Sequence, residues 1–158
     1  MPPKTGDTAP QFQALWCDGE TFRSRSLAEC LESRGAVLVF DGFAFSAIAE
    51  NWWNRYASAG WDSFSNVSVT GVVRDGPYSI NAFLRSIESP FTMFSDLNGD
   101  VANGYDLLTE RVGMAGTKTA NRAVFVLDSD STIQFQWIAD DWISPVPRSD
   151  IETAVAEL

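Results

Sequence analysis

The chain has 158 residues, is 45% hydrophobic and 20% charged, and carries a net charge of −10 with no histidine. This size suits one domain spanning 1–158 with a core of its own, and no apolar run is long enough to cross a bilayer. The acidic balance argues against nucleic-acid and anionic-membrane partners, which need basic patches, and the missing histidine rules out Ser-His-Asp and Cys-His catalysis, His-ligated zinc and His-bound haem.

Lys4 and Lys118 are the only lysines. An acidic, lysine-poor surface suits a high-salt (halophilic) cytoplasm, where screening relieves self-repulsion. The opening Met1-Pro-Pro-Lys-Thr-Gly-Asp lacks an apolar signal segment, so a cytoplasmic location is expected. Cys17 and Cys30 are the only cysteines and form no Cys-x-x-Cys pair. A reducing cytoplasm disfavours a disulfide between them. No cofactor or metal is expected.

In chain order, Gly6–Phe12 is a turn-rich lead into a loosely alternating stretch, Gln13–Trp16, of edge-strand type. Cys17-Asp18-Gly19-Glu20 predicts a hairpin turn, with the return strand over Thr21–Arg25. Ser26 caps a helix from Leu27 to about Ser33, ended by Arg34-Gly35. Val37-Leu-Val-Phe40 is a buried strand. Asp41-Gly42 breaks it, and Ser46 caps a helix running from Ala47 through Tyr56.

After a polar loop at 57–65, Val67–Val73 is the next strand. Ile80, Phe83, Leu84 and Ile87 are spaced as one face of a helix over Tyr78–Ile87. A short strand follows at Phe91–Phe94, a short helix lies within Gly99–Leu108, and 109–120 reads as a loop. Arg122–Asp128 is a second buried strand. Thr132–Ile138 alternates and pairs back on it, and Ser149 caps a last helix, Ile151–Leu158. Strands alternating with helices and ending in a hairpin plus helix predict a three-layer α/β fold of thioredoxin type with an N-terminal extension.

The strand–loop–helix unit at 37–53 aims free backbone N–H groups at its loop. It resembles the active-site segment of peroxiredoxins, the AhpC/TSA (alkyl hydroperoxide reductase/thiol-specific antioxidant) redoxins. Gly6-Asp-Thr-Ala-Pro-Gln-Phe12, Phe94-Ser-Asp-Leu-Asn-Gly-Asp-Val-Ala102 and Arg122-Ala-Val-Phe-Val-Leu-Asp128 extend the likeness over nearly the whole chain. The resemblance implies a thiol peroxidase of one-cysteine type, dimerising through the edge of this loop. In that pattern Ser46 and Arg122 stand at the peroxide-binding positions. Gly42 lies where a Pro is expected, and Ala49 lies where the peroxide-attacking Cys should be.

Ala49 cannot act as a nucleophile. Ser46 would need an adjacent base, for which Glu50 is the nearby choice. The chain is therefore expected to be a non-catalytic member whose Ser46/Arg122 pocket binds a small polar ligand, an anion or a partner. Two alternatives stand beside this: a peroxidase using Cys17 or Cys30, or an active enzyme whose Cys was exchanged for Ala49, against which the loss of Pro at Gly42 argues. Trp52 and Trp53, about 100° apart on a helix, predict one exposed aromatic. Asp140-Asp141-Trp142 is either a metal or partner site or a plain acidic loop.

Overall fold

Strand β3 (Gly35–Phe40) is buried at every position, as a strand covered on both faces must be. Around it the computed structural model, which describes residues 1–158, builds a seven-stranded sheet in the order β2-β1-β5-β4-β3-β8-β9. The strands are β1 (Gln13–Cys17), β2 (Phe22–Ser26), β4 (Val67–Val73), β5 (Thr92–Ser95), β8 (Ala123–Leu127) and β9 (Ile133–Ile138). β3, β4 and β5 run parallel, while β8 and β9 return antiparallel. Helices α1 (Leu27–Cys30), α2 (Ala47–Ser58), α3 (Pro77–Ser86), α4 (Asp100–Gly104) and α5 (Arg148–Ala156) complete a mixed α/β thioredoxin-like fold.

Each face of the sheet has its own core. One is built on α2 and α3 with Trp53, Tyr56, Trp61, Phe83 and Met93. The other is built on α1 and α4 with Leu38, Phe40, Phe94, Tyr105 and Phe125. Ser46 caps α2, accepting from the Ala49 N–H, and Ser26 and Glu29 form a reciprocal capping box on α1.

Several expectations are corrected. β1 is an interior strand between β2 and β5, and the edge belongs to β2. Helix α1 stops at Cys30 because Leu31 is already extended, and Gly35 opens β3 instead of ending a helix. Its φ of +136° and the Leu127 carbonyl, which any Cβ there would strike, leave room only for glycine. Residues 109–120 are not loop throughout. They hold a hairpin of β6 (Leu108–Glu110) and β7 (Lys118–Ala120), too short and polar to show a period. Helix α5 begins at Arg148, and Ser149 does not cap it.

Trp52 and Trp53 are both buried, 7% and 1% exposed, so the expected exposed aromatic is absent from α2. Ala49, Trp52, Trp53 and Tyr56 fall at i, i+3, i+4 and i+7, one stripe wide enough for two adjacent indoles.

Gly71 lies under this stripe. A methyl group there would sit 2.7 Å from the Trp53 ring and 3.0 Å from Met93. Overpacking of this kind costs about 1–3 kcal/mol, so Gly71→Ala is expected to lower the urea unfolding free energy by that amount. An unchanged midpoint would mean the Trp53 packing is looser than described.

Candidate functional site

The register of the sheet assembles the site. Phe40 pairs with Ala123 across the antiparallel β3–β8 ladder, so the next residues out, Asp41 and Arg122, meet at the C-terminal end of β3. The Ala139 N–H donates to the Arg122 carbonyl, which sends the following loop, 140–147, over the same end. The loop between β3 and α2 is tied down beyond this strand end, where the Ala44 N–H donates to Asp75 Oδ1 at 2.7 Å.

Asp41 and Arg122 are 4% and 3% exposed. The Arg122 Nε stands 3.8 Å from Asp41 Oδ1, an ion-pair distance too long for a hydrogen bond. The other carboxylate oxygen, Oδ2, accepts the Trp53 indole N–H at 3.0 Å. Burial pushes the Asp41 carboxyl up to about 6, opposed by Arg122 and by the Trp53 hydrogen bond. Arg122 Nη1 donates to the carbonyls of Ser144 at 2.7 Å and Trp142 at 3.4 Å. Its Nε and Nη2 are buried with no hydrogen-bond partner in the protein.

Trp142 closes the end of the site. Its ring tip would lie 3.4 Å from a Cβ placed on Gly42, and Thr119 Oγ1 3.3 Å from it. Glycine at position 42 is therefore matched to an indole lying over the strand end. The Arg111 guanidinium lies 4.6 Å from the centre of the Trp142 ring, a cation–π distance. Arg111 also donates from Nε to Thr119 Oγ1 and from Nη2 to the Ala120 carbonyl, both at 2.6 Å. A cavity of about 130 Å³ remains between Arg111, Asn121, Arg122, Asp140, Asp141 and Trp142.

The structure brings Arg122 into this arrangement but uses Ser46 otherwise. The Ser46 hydroxyl donates to the Phe43 carbonyl at 2.8 Å and accepts from the Ala49 N–H at 3.3 Å, and Ser46 does not line the cavity. Glu50 is exposed and makes no bond to that hydroxyl. Ala49 is fully buried in the first turn. Cys17 is wholly buried, with burial first and then Asp18 pushing its thiol up to about 12. Cys30 is raised as well, by burial. Both thiols are free, and neither has the depressed pKa of a reactive thiolate.

In the loop, Asp141 Oδ1 accepts from the Ile143 N–H and the Ser144 hydroxyl, bonds that hold its carboxyl below the usual range. The feature missed from sequence is Asp41, which reads there as half of an Asp-Gly break. Its signal was an acid directly following four apolar strand residues.

This chain is similar to a group of peroxiredoxin structures. Peroxidoxin BcpB from Mycobacterium tuberculosis shares 21% identity at a TM-score of 0.78, with 97% of this chain and 94% of that one covered. The reduced 2-Cys peroxiredoxin of Plasmodium vivax shares 18% at 0.79, covering 98% and 96%. A reduced Vibrio vulnificus peroxiredoxin in complex with hydrogen peroxide shares 14% at 0.81, covering 97% and 99%. At these identities the likeness speaks for the fold. No curated protein matches the sequence. Residues 5–136 match the sequence model of the AhpC/TSA family, more than half of the chain, and the chain belongs to that family.

Proposed function

We propose that this protein is a non-catalytic redoxin, a pseudoenzyme that keeps the peroxiredoxin scaffold and binds a small polar ligand or partner beside Arg122. The observation that carries the reading is the Asp41–Arg122 contact. In a thiol peroxidase the cation at this place lowers the pKa of an attacking cysteine and steadies the oxygen that leaves. Here the first helical turn offers the methyl of Ala49, and the cation already faces a carboxylate. Two buried guanidinium nitrogens without protein partners supply the binding capacity, since unpaired buried donors favour an acceptor. The 130 Å³ cavity suits a ligand of only a few heavy atoms.

Dimerisation through the edge of the active-site loop belongs to the same reading. It is supported by Phe45, 53% exposed at the loop's tip. A cytoplasmic setting at high salt remains part of the proposal, resting on the charge of −10.

Peroxide consumption at pH 7.5, where Asp41 is ionised, tests the reading. The unaltered chain is expected to consume none. Ala49→Cys is expected to react slowly, because Asp41 offsets the charge that would favour a thiolate. Adding Asp41→Asn to Ala49→Cys should speed sulfenic-acid formation by about tenfold, the effect of roughly one unit in thiol pKa. Peroxide turnover by the unaltered chain would overturn the proposal. Equal rates for the single and double variants, both folded by circular dichroism, would remove Asp41 from it.

A further inference from the structure

A second recess lies at the other end of β4 from Asp41 and Arg122. It encloses about 410 Å³ against Val67–Thr70 and the start of β5, within the range of small-molecule sites. It arises because β5 pairs with β4 only from Thr92↔Thr70 onward, so the first residues of β4 have no neighbour on that side.

Along the floor, beside Val67 and Val69, lie three hydroxyls whose protons are already committed. Thr92 Oγ1 donates to Thr70 Oγ1 at 3.0 Å. Thr70 Oγ1 donates to the Thr92 carbonyl at 3.2 Å, and the Ser68 hydroxyl donates to the Cys30 carbonyl at 2.5 Å. Thr70 is 1% exposed, which fixes this arrangement. A hydroxyl whose proton is spent offers only lone pairs, so these three hydroxyls accept hydrogen bonds from a ligand and do not give them, while the Asn66 amide stands at the rim.

The walls continue the same chemistry. Glu32 and Asp62 line the recess, and the chain's salt bridges lie elsewhere, at Met1–Asp106 and Arg122–Asp41. Arg25 is the cation on this wall, one charge against the two of Glu32 and Asp62. Its guanidinium sits 4.6 Å from the centre of the Trp16 ring and donates to the Glu29 carbonyl at 2.5 Å. Phe64 and Phe91 add apolar surface.

We propose that this recess is a binding site for a small organic cation bearing primary-amine or guanidinium donors, with an aliphatic stem against the aromatic wall. Such a ligand carries the donors that the floor and the two carboxylates lack, and an ammonium or guanidinium presents donors without acceptors. The site is independent of the Arg122 end and of whether the protein is catalytic.

The test is a titration of the full-length protein with agmatine, followed by amide chemical shifts. Saturable shifts centred on residues 66–70 and 92 are expected. Affinity should fall about tenfold in Glu32→Gln/Asp62→Asn, the loss of two partly screened charge contacts, and pentane-1,5-diol should not bind. Both substitutions are at exposed positions, so the variant keeps its fold. Absence of shifts at this end, unsaturable shifts scattered over the acidic surface, or undiminished binding by the double variant would each overturn the proposal.

Discussion

A buried carboxylate facing a buried guanidinium sets the terms for the C-terminal end of β3. An isolated charge in a protein interior is costly and is tolerated when a partner answers it. Asp41 and Arg122 answer each other at 3.8 Å, with the Trp53 indole on one side and the Ser144 and Trp142 carbonyls on the other. The pair is incomplete as hydrogen bonding, because the Nε and Nη2 donors stay unpaired. It is complete as charge.

The side chains around this pair depend on one another. The anion that faces Arg122 comes from the end of β3. Glycine at position 42 lets Trp142 lie over the strand end, which brings loop 140–147 within reach of the guanidinium. Trp53, held by Asp41, in turn needs Gly71 beneath it. Each of these residues is accommodated by the next.

Features carried by local chemistry were legible in the sequence. The apolar runs of β3 and β4, the Ser46 cap and the Asp18-Gly19 turn depend on neighbouring residues, and the structure holds them close to where they were expected. Arg122 was singled out through a family resemblance, and its register opposite β3 shows why that position faces the site. The role of Asp41 was not legible, because its meaning comes from residues far along the chain. Nor was the closure by Trp142, which arises where the chain leaves β9 past the start of β8. The two adjacent tryptophans misled because the 100° step between them is smaller than the width of a core-facing stripe.

The account turns on Asp41 being a buried acid that answers Arg122, and the Trp53 indole N–H reports on it directly. Following that resonance by NMR across the acidic-to-neutral range should give a single titration with a midpoint of about 6, far above an ordinary aspartate, and the titration should vanish in Asp41→Asn. A flat indole shift through that range, or the same midpoint persisting in Asp41→Asn, would contradict the account.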